Sequence, residues 1–222
     1  VRLIDGPAEI GTRTALWLEQ AGEQTLAQYI KHEGRLTIDE LETLGDQLFR
    51  VMEYLEDKGV RHRDVKPDNL GVREQSEAKK GRRLVLFDFS SADAADTAIE
   101  VGTPPYLDPF LGTDRRPVYD AAAERYAVAV TLHEMASAAL PSWGDGITEP
   151  RLLPDSEQLP QLAEDAFDPP LRERLVRFFH PALHRDAARR HASLQEMRRA
   201  WTDVFRDLDS QLPPTTPHTV HA

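Results

Sequence analysis

Cysteine is missing from all 222 residues, which excludes disulfide scaffolds and thiolate metal sites and fits a reducing, cytoplasmic setting. No apolar run reaches the roughly 20 residues of a membrane-spanning helix. No charged-then-apolar leader opens the chain either, so no membrane partner is expected. Positive charge is scarce: 27 Lys and Arg face 38 Asp and Glu, for a formal charge of −11. Phosphate-backbone binding draws on a surplus of Lys and Arg, so direct nucleic-acid binding is not expected. The one dense basic run, Lys79-Lys80-Gly81-Arg82-Arg83, lies in turn-like sequence between two short apolar runs and reads as a solvated hairpin tip.

A chain of this length buries a substantial core unaided. Two short apolar segments, residues 1–4 and 14–18, are separated by Gly and Pro and read as antiparallel strands. The chain opens within the first of them, so further domains of a longer polypeptide are expected. Residues 25–31 form a short helix candidate. In the helix after it, Thr37 and Glu40 have the spacing of a capping box and Gly59 stands at the stop. Leu41, Leu44, Leu48, Val51, Met52 and Leu55 share one face of it. Residues 83–89 read as a compact strand that delivers Asp88 at its end. Residues 121–140 are apolar or small nearly all round, the pattern of a helix buried on every side, and Pro141 stops it. Further helices are predicted at 170–180 and 193–208, the latter opening on Ser193 and Glu196 as a second capping box. Residues 211–222 lack periodicity and hold three prolines and three threonines, which suits a linker or tail.

The densest chemistry lies in His62-Arg63-Asp64-Val65-Lys66-Pro67-Asp68-Asn69, between the amphipathic helix and the strand. An aspartate, a lysine and an amide within six positions supply a base for a hydroxyl, a cation for a transferring phosphoryl group and a neutral metal ligand. Phosphoryl transfer needs these parts because its catalysis is mainly positioning plus charge neutralisation. Asp88, at the end of the next strand, can face the same pocket and bind Mg²⁺ through oxygen.

In this order and on these elements, the residues resemble the C-terminal lobe of eukaryotic-type Ser/Thr protein kinases. The resemblance covers residues 1–209. It implies a mainly α fold: a helical bundle around a buried central helix, with small β-hairpins and a remnant of the N-lobe antiparallel sheet. Residues 1–20 would be the end of that sheet and the hinge, 21–209 the C-lobe, and 210–222 a linker or tail. Asp64 would orient the acceptor hydroxyl, Lys66 would contact the transferring phosphate, and Thr103 would bridge the two. Asn69 and Asp88 would hold Mg²⁺. The adenine of ATP would meet the backbone at Leu18, Glu19, Gln20 and Ala21, with Leu18 as gatekeeper and Gly71 on the pocket floor. His62 would pack beneath the metal-binding turn, and Glu124 would hold the catalytic loop. Lys66, together with Gly102-Thr103-Pro104-Pro105-Tyr106-Leu107-Asp108-Pro109, favours a protein substrate with Ser or Thr as acceptor.

Four departures from the family pattern stand out. The Gly-rich loop and strand lysine are absent, so this stretch alone is not expected to catalyse. Ser90 replaces a glycine after Asp88-Phe89. Phe110 replaces a glutamate, so Arg190 is expected to pair instead with Asp108 or Asp114. Gly71 replaces a larger apolar residue, which is expected to loosen nucleotide stacking. A pseudokinase scaffold is the alternative, although Asp64, Lys66, Asn69 and Asp88 are all kept. Arg63 is the family's reader of an activation-loop phosphate, for which Ser91 and Thr97 are candidates. Asp93, Asp96 and Glu100 are expected to satisfy Arg63 without any phosphate. His180 and His184 read as ordinary histidines, and Trp143-Gly144-Asp145-Gly146 as a packed turn. The segments 86–90, 106–110, 123–126 and 143–146 together resemble the large bacterial kinases of phage growth limitation and BREX-type defence systems.

Overall fold

The computed structural model describes residues 3–75, 81–114 and 116–208. The first two residues of the opening strand, Lys79 and Lys80 of the basic run, and the expected tail lie outside them. Strands β1 (Leu3–Ile10) and β2 (Arg13–Leu18) form a hairpin that turns at Gly11, whose φ is +64°. The break expected at Gly6-Pro7 is absorbed instead as register irregularities between Leu3 and Ala8, so β1 runs on to Ile10. A second antiparallel sheet has the order β3 (Gln24–Thr25), β4 (Leu70–Glu74), β5 (Arg82–Leu86). Arg82 does not sit at a solvated tip. It pairs with Glu74 at 3.0 Å and with Glu40, and its guanidinium lies 4.9 Å from the Tyr29 ring centre.

Among the described residues, five α-helices carry the core. Helix α1 (Leu26–Glu33) starts at a Thr25 cap. Helix α2 (Ile38–Asp57) has the capping box that Thr37 and Glu40 predict: Glu40 N donates to Thr37 Oγ1, and Thr37 N donates to Glu40 Oε2 at 3.2 Å. Its buried face is Leu41, Leu44, Leu48, Phe49, Met52 and Leu55. Gly45 sits mid-helix, where glycine costs stability, for a packing reason. A Cβ there would lie 2.5 Å from Trp201 Nε1 on α5 (Leu194–Phe205). Helix α3 (Ala121–Ser137) is buried nearly all round, as its composition predicts. Ala138, at φ +54°, ends it three residues before Pro141. Helix α4 (Arg172–Ala182) continues past the expected end and takes Pro181 into its last turn. At α5 the Ser193 cap is present, but Glu196 accepts from Ala192 N and not from Ser193, so the box is half formed. No helix among the described residues is long and apolar enough to cross a membrane.

One buried histidine makes the fold sensitive to acid. His133 on α3 is fully buried, edge-on to Phe167 and Phe179. Its Nδ1–H donates to Ala139 O at 2.9 Å, and its Nε2 accepts from Ala163 N at 3.2 Å. The neutral ring is therefore satisfied, and a proton on Nε2 would face a donor. Burial pushes its pKa down to about 4, against a smaller rise from the Ala139 bond. The unfolded chain takes up that proton near 6.5. Stability is thus complete above pH 6.5 and falls as pH drops from 6.5 towards 4, by about 3 kcal/mol in all. Urea unfolding at pH 7.5 and pH 5 should show the loss. His133→Gln should remove the part due to this ring, leaving the smaller part from His184 and His191, whose pKa values burial also lowers.

Candidate active site

Helix α2 ends at Asp57, two residues before Gly59 at φ +67°, and the residues after the turn are held from the side by α3. The buried Glu124 carboxylate accepts from His62 N at 2.8 Å and Arg63 N at 3.2 Å, and Tyr119 Oη donates to it at 2.6 Å. Arg63 can then take φ +68°, a left-handed value uncommon for a non-glycine residue. Glu124 holds the loop, as the resemblance implies. His62 is fully buried. Its Nε2–H donates to Phe87 O at 2.9 Å, its Nδ1 accepts from Asp64 N at 3.4 Å, and its ring lies 4.7 Å from that of Phe89. One neutral tautomer serves both bonds, which makes His62 a strut between the loop and the residues around Asp88.

Four of the predicted site residues meet directly. Thr103 Oγ1 donates to Asp64 Oδ1 at 2.6 Å and accepts from Lys66 Nζ at 2.5 Å. Lys66 Nζ also lies 2.8 Å from Asp64 Oδ2. Asn69 Nδ2 donates to the Asp64 backbone oxygen at 2.8 Å and to Oδ2 at 3.0 Å. Burial alone would raise the Asp64 pKa, but the bonds from Lys66, Thr103 and Asn69 outweigh it and hold the carboxyl below its ordinary value. Asp64 is therefore an ionised acceptor at neutral pH, suited to orienting a hydroxyl more than to removing its proton early.

Asp88 lies one residue beyond Phe87, which is tied to Asn69, and is not at a strand end. The ladder stops at Leu86, because Phe87 N turns to donate to Asn69 O at 3.0 Å. Asp88 follows at φ +61°, exposed, with Oδ1 accepting from Ser90 N at 3.3 Å. The Asn69 amide nitrogen donates to Asp64, so its oxygen is the atom that could serve as a metal ligand. An amide oxygen and an exposed carboxylate are both hard oxygen ligands, the kind that a divalent cation such as Mg²⁺ takes.

Residues 19–23 gather against β4. Leu18 ends β2, about half exposed. Glu19 bonds Arg73 at 2.9 Å. A Cβ on Gly71 would lie 2.7 Å from the carbonyl of Ala21. The backbone of Ala21 thus lies against Gly71, and a larger side chain at that position would have to displace it. Strand β4 joins the clusters, since Leu70 follows Asn69 directly. Arg73 and Gly22 were not picked out from the sequence, where a strand arginine and a loop glycine carry no distinguishing pattern.

Arg63 is also corrected. Its buried guanidinium does not pair with Asp93, Asp96 or Glu100. It donates to the backbone oxygens of Ala94 at 2.5 Å, Ala95 at 2.8 Å and Ala98 at 2.7 Å, and stacks 4.5 Å from the Tyr119 ring centre. Asp96 is drawn to Arg61 instead, at 2.6 Å. Of the two partners expected for Arg190, Asp108 takes it, at 2.5 Å. Phe110, in place of the glutamate, packs edge-on to Trp143 at 4.8 Å and under Arg185. His184 Nδ1 accepts from Asp186 N at 2.9 Å.

Comparison with known proteins bears on these residues. The family model described as protein kinase domain matches residues 1–202. The probable kinase PglW of Streptomyces coelicolor is 45% identical over 227 aligned positions, which cover 93% of this chain and 14% of that protein. The serine/threonine-protein kinase PknA of Mycobacterium tuberculosis is 30% identical, over 72% of this chain and 37% of its own length. The chain thus spans well under half of either relative. Among solved structures, the Rad53 kinase domain with SCD2 and AMPPNP aligns at a TM-score of 0.56 and 16% identity, over 85% of this chain and 68% of that one. That similarity speaks for the fold.

Proposed function

Because the chain belongs to the protein kinase domain family, we propose that the full-length protein transfers the γ-phosphate of ATP to serine and threonine hydroxyls of protein substrates. One observation carries this reading: Thr103 is bonded at once to Asp64 and Lys66. The segment that would position a peptide is locked to the loop that would act on it. Asp64 orients the acceptor hydroxyl, and Lys66 neutralises charge on the moving phosphoryl group. Mg²⁺, held by Asn69 and Asp88, would neutralise the phosphates of ATP. The backbone at Glu19 and Ala21 would receive the adenine, below Leu18. The residue pattern shared with phage growth limitation kinases supports a role in bacterial phage defence.

Incubation of the full-length protein with labelled ATP and its substrates, followed by phosphoamino-acid analysis, tests the reading. Phosphoserine and phosphothreonine are expected. Nucleotide binding without any transfer would favour the scaffold alternative, and phosphotyrosine alone would overturn the acceptor assignment.

Three main-chain acceptors already occupy Arg63, so ordering of this segment needs no phosphate. Phosphatase treatment should leave activity within about twofold. Arg63→Ala, which strips charged bonds each worth about 1.5 kcal/mol or more, should lower activity about tenfold or more and open residues 94–98 to proteolysis.

A further inference from the structure

Resting on the kinase reading above, we infer that Arg73 is a positioning residue for the nucleotide: it fixes the hinge peptide that presents the Ala21 N–H to the adenine. Residues 19–23, between β2 and β3, have no ladder of their own. Three consecutive residues of β4 hold them. Gly71 lets Ala21 approach so closely that a Cβ would meet its carbonyl at 2.7 Å. Val72 O accepts from Glu23 N at 3.1 Å. A Cβ on Gly22 would come within 2.3 Å of that same oxygen. Arg73 then forks, one nitrogen donating to Glu19 Oε1 at 2.9 Å and the other to the Gln20 backbone oxygen.

The second of these bonds sets the direction of Ala21. The Gln20 carbonyl and the Ala21 N–H belong to one planar, trans peptide, so they point in opposite directions. Pinning the oxygen towards β4 turns the N–H to the other side, where a nucleotide base would lie. No hydrogen bond among the described residues takes up that N–H. Without Arg73 the peptide is free to rotate, and the donor is aimed only part of the time. A lone arginine on a strand thereby acts on a ligand through the backbone of another segment. Gly71 has the matching role, since any side chain there must lift the hinge from β4.

The test uses the full-length protein, with ADP binding by calorimetry, steady-state kinetics in ATP, and a melting curve. Arg73→Ala should raise the Kd for ADP and the KM for ATP about tenfold, the worth of one charged hydrogen bond, with kcat within about twofold. Arg73→Lys, which can still reach the Gln20 oxygen, should recover most of the affinity. Should Arg73→Ala not fold, Arg73→Met, which keeps the apolar stem but donates no hydrogen bond, should show the higher KM with kcat kept. Gly71→Leu should weaken ADP binding, whereas a missing pocket floor would be repaired by it. An Arg73→Ala protein with unchanged Kd, or with only a lower melting temperature, would overturn the inference while leaving the kinase reading intact. A wild-type protein that binds no ADP would overturn both.

Discussion

Asp64→Ala in the full-length protein is expected to cut phosphoryl transfer by about 10³-fold, the scale of a positioned acid–base group. Nucleotide binding should be nearly unchanged. The size follows from what Asp64 gathers: Thr103 donates to one oxygen, while Lys66 and Asn69 reach the other. Its loss removes the group that aims the acceptor hydroxyl and frees Lys66, which would then be drawn to ATP itself. Transfer should fall while the Kd for ADP holds or tightens. Measured incorporation equal to that of the wild type would reject the role assigned to Asp64. A loss of ADP binding to match the loss of transfer would mean instead that the loop had unfolded.

Reversing charge at Arg190 should have the largest effect on folding. Asp108 has no side-chain exposure and Arg190 has 1%. Arg190 bonds both carboxylate oxygens, and Arg116 adds a bond of 2.6 Å. Burial alone would raise the Asp108 pKa, yet Arg190 and Arg116 outweigh it and keep the carboxyl ionised. Arg190→Glu would bury two facing carboxylates, and breaking such a pair costs about 3–5 kcal/mol. That is much of a domain's total stability, so the variant should melt far lower or fail to accumulate. An unchanged melting curve would sink the assignment. Because an apolar pair can replace a buried ion pair at little cost, the double variant Arg190→Met with Asp108→Leu should be less damaged than the sum of the single changes.

The partner of Arg190 shows how far the sequence could reach. Phe110 in place of a glutamate implied that some other carboxylate must serve, and Asp108 and Asp114 were both within reach along the chain. Only the path of the segment places Asp108 inside and Asp114 elsewhere. Arg63 shows the same limit more sharply. The segment after Asp88 carries three acids, but it folds so that backbone oxygens of Ala94, Ala95 and Ala98 arrive first, and Asp96 goes to Arg61. Composition draws attention to charged side chains and gives no sign of a carbonyl, which every residue carries.

What the sequence determined alone was local or periodic. The Thr37 and Glu40 box, the apolar face of α2 and the all-round burial of α3 depend on neighbours within a few positions, and those are fixed by helix geometry. The constellation of Asp64, Lys66 and Asn69 is legible for the same reason, since all three lie on one short loop. Tertiary structure alone decided the rest: Gly71 against Ala21, Asp88 turned past the strand end, and Arg73 on the Gln20 carbonyl. Each of these is a contact of a few ångströms between segments distant in sequence. Hydrogen bonds and close packing are lost within about an ångström of misplacement, so only the folded path of the chain selects among partners that the sequence leaves equal.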